Sequence, residues 1–250
     1  MPLGKEYRKT NNKRGVMHPL SSFSQQFSLF AKGKTVMDMG CAFGNTVLSA
    51  LDNGANKVIA CDMEASHLAE VGKLAKNHSQ KLDTHQGVFP EDFNFAKDSL
   101  DAIHISHLLE YLSGDEVEQG LKKCLEWLRP SAKLFILTYS IFILELNNDK
   151  FKAEYKQRKS MGAKWPGYLE NYDDYCTEED HDDKASQTPA DAAEFPPSLH
   201  LFELEVLKTA LEQIGFKIES ASYFDGKENG AVSETWLNGQ EYLGIVAYKP

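Results

Sequence analysis

Between Thr35 and Tyr139 short apolar runs alternate with amphipathic stretches, and this alternation leaves few architectures open to the chain. Thr35 to Met39, Lys57 to Cys61, Leu82 to Gln86, Leu100 to Ser106 and Lys133 to Tyr139 have the length and composition of strands. Between them, Asn45 to Asn53, Glu64 to Asn77 and Asp115 to Arg129 read as helices; in the last, Val117, Leu121, Leu125 and Leu128 make the buried stripe and Pro130 marks its end. Repeated strand-helix-strand units build a parallel sheet with helices on both faces. A helix from Ser21 to Ala31, with Phe23, Phe27 and Phe30 along one face, precedes the first strand. Near the end, a helix from Glu203 to Gln213 stops at Gly215, and the β-rich runs Phe216 to Phe224 and Tyr242 to Tyr248 close the domain as an antiparallel hairpin. A chain of 250 residues with 42% hydrophobic content is long enough to bury one α/β core of this kind.

The stretch from Asn147 to Pro197 breaks the pattern and is too long for an ordinary loop. Within it Trp165, Tyr168, Tyr172 and Tyr175 recur at helical spacing, with Pro166 suited to a helix start, which predicts an aromatic-faced helix. Glu170 to Glu194 holds ten acids against Lys184 alone, so this segment carries nearly all of the net charge of −10. With the remainder close to neutral and only a small basic cluster near the N-terminus (Lys5, Arg8, Lys9, Lys13, Arg14), a partnership with long nucleic acid is disfavoured. The four cysteines are scattered without a CxxC pair, so no zinc site or disulfide framework is expected. The N-terminus lacks an apolar leader-like core, and the tract Leu134 to Leu144 is too short to span a bilayer; a cytoplasmic protein off the membrane is the expectation.

The first strand runs into Asp38-Met39-Gly40-Cys41-Ala42-Phe43-Gly44. In an open α/β sheet such a turn borders the ligand site, and glycines let backbone approach the ligand. A dinucleotide's pyrophosphate would call for glycines at 42 and 45, where this chain has Ala42 and Asn45. Asp38 at the strand's end suits a cation better than a phosphate. Asp62 ends the second strand 22 residues after Gly40, where a carboxylate accepts hydrogen bonds from ribose hydroxyls. A ligand with adenosine character and positive charge but no pyrophosphate fits S-adenosylmethionine.

On VMDMGCAFG (36–44), VIACDM (58–63), LDAIHISHLLEYL (100–112), LRPSAKLFILTY (128–139) and HLFELEVLKTALEQIGFKI (200–218), the chain resembles the class I S-adenosylmethionine-dependent methyltransferases. The resemblance implies a doubly wound, mostly parallel seven-stranded sheet of order 3-2-1-4-5-7-6 with strand 7 antiparallel. It also implies one domain: 1–33 as a segment and helix covering the cofactor, 34–146 as the cofactor-binding core, 147–198 as an inserted substrate lid, and 199–250 as the helix and hairpin completing the sheet. Gly40 and Cys41 would lie along the cofactor's methionine part, Asp38 would face its ammonium, Asp62 would take the ribose and Met63 the adenine. Where relatives often read Gly-Asp-Ala after the third strand, this chain has Gly87-Val88-Phe89, so backbone at Phe89, or Glu91 and Asp92, would stand in for that contact. Ser106 and His107 would border the transferred methyl, with Tyr7 and Arg14 in the covering segment.

His107 has two readings, general base for the methyl acceptor or hydrogen-bonded structural histidine. The expected activity is methyl transfer by in-line displacement to a small molecule or an exposed side chain, leaving S-adenosylhomocysteine. The alternatives are a non-catalytic cofactor-binding or interaction protein docking a basic partner through its acidic insertion, and a nicotinamide-dependent oxidoreductase, which Ala42 and Asn45 disfavour.

Overall fold

The computed structural model describes residues 8–11, 16–143, 148–175, 197–225 and 238–250. Its centre is a seven-stranded sheet of β1 (Thr35–Met39), β2 (Lys57–Asp62), β3 (Leu82–Gln86), β4 (Leu100–Ser106), β5 (Leu128–Tyr139), β6 (Lys217–Phe224) and β7 (Tyr242–Tyr248). The spatial order is β3-β2-β1-β4-β5-β7-β6, with β7 antiparallel to both neighbours and β1 to β5 parallel, as the resemblance implies.

Strand pleating sorts the core into two layers. Met37, Met39, Ile103, Ile105, Leu134 and Ile136 face α4 (Gly114–Trp127) and α6 (Leu204–Ile214). Val36, Val58, Ala60, Ala102, Phe135 and Leu137 face α1 (Ser22–Phe30), α2 (Asn45–Asp52) and α3 (Ala65–Leu74). The local signals for these helices are physical ones. Ser21 caps α1 through the amide of Ser24, and Ser113 with Glu116 forms a reciprocal capping box on α4.

Two expectations need correction. Helix α4 ends at Trp127 rather than Arg129, and β5 begins at Leu128, so Pro130 lies inside a strand instead of ending a helix. A register shift where β5 meets β4 and a left-handed Ser131 (φ 66°) accommodate this entry. The aromatic run from Trp165 to Tyr175 is not an α-helix. It holds a two-residue strand, Tyr168–Leu169, paired with Leu199–His200, and a 3-10 turn, Tyr172–Tyr175. Gly167 decides this: its carbonyl accepts from the Leu201 amide at 3.0 Å, and a Cβ at 167 would sit 1.9 Å from the Leu201 oxygen. The α-helix of the insertion is α5 (Asp149–Ser160), which buries only Phe151 and Tyr155 and is otherwise mostly charged. Phe151, Tyr155, Leu169 and Leu201 close a small core of their own.

Candidate active site

At the carboxyl ends of β1, β2 and β4 lies a cavity of about 320 Å3, within the range of small-molecule sites. Its walls are the turn after β1, the end of β2, the loop at residues 87–89, the end of β4 and a strap at residues 17–21.

The turn is held from below. Gly40 and Cys41 both donate backbone N–H to the Cys61 carbonyl, at 2.8 and 3.0 Å. Gly40, Ala42 and Gly44 all take positive φ (77°, 44° and 83°), so Ala42 adopts a conformation that glycine adopts without strain. Gly44 starts α2, and a Cβ there would come 2.8 Å from Val71.

Asp38 and Asp62 each have a histidine partner. Asp38 is buried beside His104, its partner across the β1–β4 ladder; His104 Nδ1 lies 2.7 Å from Asp38 Oδ1 and Nε2 lies 3.0 Å from Ser24 Oγ. Asp62 Oδ2 accepts from the Ala42 amide at 2.8 Å, and Oδ1 accepts from the Glu64 amide at 2.9 Å and faces His67 Nδ1 at 3.0 Å. A carboxylate offers about four acceptor positions, so the sequence expectation of two ribose hydroxyls on Asp62 meets a group with three donors in place.

His107 follows β4 in a left-handed conformation (φ 53°), a placement that concentrates at functional sites. Its Nδ1 lies 3.0 Å from Glu110 Oε1; Glu110 is fully buried, and its Oε2 accepts from the Thr138 hydroxyl at 2.8 Å. Nε2 of His107 is buried without a hydrogen-bond partner in a residue that lines the cavity. The His18 ring, from the strap, stacks on His107 at 3.8 Å. Burial first and His107 second push His18 well below the usual histidine range, so it is neutral at pH 7. Burial, then Asp38 and Asp62, pushes the Cys41 thiol up, which keeps it protonated and unsuited to nucleophilic attack.

Of the residues singled out in the sequence, Asp38, Gly40, Cys41, Asp62, Met63, Phe89, Ser106 and His107 all line this one cavity. Tyr7 and Arg14 fall outside the described residues, as does the acidic run at 177–183. Asp92 accepts from the Val88 amide at 2.8 Å, and neither it nor Glu91 reaches the cavity wall. Sequence reasoning missed His18, His67 and His104. A signal existed for His104, a polar residue in the middle of an apolar strand; none existed for the other two, whose partners lie on other elements. Among the described residues no cluster of metal-ligating side chains occurs, and no helix is long and apolar enough to cross a membrane.

Residues 36–131 match a family model described as a methyltransferase domain. Over 104 residues the chain is 30% identical to phosphoethanolamine N-methyltransferase 3 of Arabidopsis thaliana, a match taking in 42% of this chain and only 21% of that longer protein. The fold superposes on an S-adenosylmethionine-dependent methyltransferase from Mesorhizobium loti with a TM-score of 0.61, at 16% identity, over 90% of this chain and 98% of that one. It also superposes on 1,6-didemethyltoxoflavin-N1-methyltransferase from Burkholderia thailandensis, solved with 1,6-didemethyltoxoflavin and S-adenosylhomocysteine bound. There the TM-score is 0.57 at 15% identity, over 92% of this chain and 79% of that one. At such identities the likeness is one of fold.

Proposed function

We propose, from the premise that residues 36–131 are a methyltransferase domain set in the class I S-adenosylmethionine-dependent methyltransferase fold, that the chain methylates a small molecule or an exposed side chain, with His107 as general base. The observation that carries this reading is the partnerless, buried Nε2 of His107 beside the cavity, with the ring's other nitrogen fixed on Glu110.

The residues present suit the cofactor. The turn at Gly40 brings backbone to the cavity, Asp38 and Asp62 put negative charge on its wall, and Asp62 Oδ2 keeps an acceptor position for a ribose hydroxyl. Met63, partly exposed at the end of β2, offers an apolar surface for the adenine. S-adenosylmethionine supplies an electrophilic methyl group carried on a sulfonium.

The protein's own part is alignment and proton removal. Glu110 accepts from His107 Nδ1–H and so fixes the tautomer with Nε2 as acceptor. The acceptor's proton passes to Nε2 as its lone pair is committed, and the resulting imidazolium is paired with the buried Glu110 carboxylate. The Thr138 hydroxyl holds that carboxylate in place. Stacked neutral His18 covers one face of the ring and excludes water.

The names of two relatives specify nitrogen acceptors, so amines and ring nitrogens are the first acceptors to screen. Titration with S-adenosylmethionine and S-adenosylhomocysteine, followed by transfer of a labelled methyl group to an acceptor panel, tests the reading. His107→Ala should keep cofactor binding and lower transfer about 10²-fold or more. A chain that binds neither compound refutes the function, and full activity in His107→Ala refutes the base.

A further inference from the structure

The N-terminal strap also includes residues 8–11, upstream of its cavity-lining residues 17–21, and these are fastened to α3 at several points. Arg8 makes a two-point ion pair with Glu70, with Nη2 2.8 Å from Oε2, and its guanidinium lies 3.5 Å over the Phe43 ring. The Asn11 side chain donates to Ser66 Oγ at 2.7 Å, and the Asn11 backbone N–H donates to Nε2 of His67 at 2.9 Å. His67 is itself buried, with Phe43 edge-on at 4.6 Å.

Because Nε2 accepts from Asn11, the ring proton sits on Nδ1, which donates to Asp62 Oδ1. The result is a continuous network: Asn11 N–H donates to His67, His67 Nδ1–H donates to Asp62, and Asp62 also accepts from the Ala42 amide in the glycine turn. The bond at Nε2 polarises the Nδ1–H that donates to Asp62. Detaching the strap removes the donor at Nε2; Asp62 still keeps the proton on Nδ1, but Nδ1–H is then a weaker donor to the carboxylate. The one side chain that orients Asp62 among its described partners is then held less firmly, because His67 has lost one of its two hydrogen bonds.

We propose that His67 is a positioning residue that couples docking of the N-terminal strap to cofactor binding at Asp62. This rests on the methyltransferase reading above. The strap, through Asn11, and the cofactor, through Asp62, bias the same imidazole from opposite sides, so each strengthens the other by the same factor.

The test is a double-mutant cycle read by calorimetric titration with S-adenosylhomocysteine. Arg8 makes no hydrogen bond to His67 or Asp62 and fastens the strap through Glu70 and the Phe43 ring. Arg8→Ala and His67→Leu should each weaken binding about fivefold to tenfold, and the double variant should bind no more weakly than His67→Leu alone. His67→Gln, which keeps one donor and one acceptor, should recover most of the affinity. In the ligand-free protein, the nitrogen chemical shifts of His67 should report a protonated Nδ1 and an unprotonated, hydrogen-bonded Nε2, with the Nε2 resonance moving toward its unbonded position in Arg8→Ala. Additive losses in the cycle, or unchanged His67 shifts in Arg8→Ala, overturn the coupling. If the unaltered chain binds no S-adenosylhomocysteine, the methyltransferase reading falls and the coupling falls with it.

Discussion

Ala42 occupies a left-handed conformation (φ 44°) that costs an L-residue about 1–2 kcal/mol. Its amide is tied there to Asp62. Replacing it with glycine relieves the strain at some entropic cost, so Ala42→Gly should stabilise the fold by about 0.5–1 kcal/mol. The measurement is a higher urea midpoint with an unchanged slope, and a lower midpoint would contradict the account. Glu110 makes the sharper case. Glu110→Gln keeps the shape of the side chain but removes the charge that pairs with an imidazolium, so transfer should fall about 10²-fold while S-adenosylhomocysteine affinity holds within about twofold. Equal losses in both would make Glu110 a structural residue only. Sequence reasoning placed Asp38, Asp62 and His107 because each sits at the carboxyl end of a strand, where position in the chain specifies position in the fold. It did not find the histidines that orient the carboxylates, because the pairing of His67 with Asn11 depends on where the strap folds back.

Among elements, the parallel strands were legible because apolar runs separated by helical stretches allow few arrangements, and their bounds agree closely with the reading for β1, β3 and β4, as do those of the antiparallel β7. The insertion was not legible. The spacing of Trp165, Tyr168, Tyr172 and Tyr175 mimics a helix, yet the rings do not share one face: Trp165 and Tyr168 lie edge-on to His200, and Tyr175 edge-on to Phe151. Helix α5 escaped notice because two buried aromatic residues in twelve give almost no periodic signal. The pairing of Gly167 with Leu201 is one of the bonds that hold the segment on the domain, beside the Tyr168–His200 register and the contacts of Lys164 and Trp165 with Glu118. Gly167→Ala should therefore destabilise that docking by about 1–3 kcal/mol, read as faster limited proteolysis within residues 148–175 with the β1–β5 core intact. Unchanged cleavage would show that the Leu201 contact is not what fastens it.

For the molecule as a whole, buried neutral histidines set the response to acid. Burial pushes His200 down from 6.5 to about 4, and its Nδ1 lies 3.0 Å from the Leu112 carbonyl. The unfolded chain therefore binds a proton that the folded chain refuses between those two values. Stability is full above about 6.5, falls as pH is lowered, and levels near 4, with a loss of about 3 kcal/mol from this group. His18, lowered in the same sense, adds to the loss. Chemical denaturation at pH 7 and pH 5 should show a marked drop that is smaller in His200→Phe; an equal drop would assign the acid response elsewhere. The central claim is that the cavity above Gly40 holds the methyl donor on Asp62. Calorimetric titration of the chain and of Asp62→Asn with S-adenosylhomocysteine, each first shown to be folded, tests it most directly. The account predicts one binding event per chain, weakened about tenfold or more in the variant; no binding, or equal affinity in the two proteins, would contradict it.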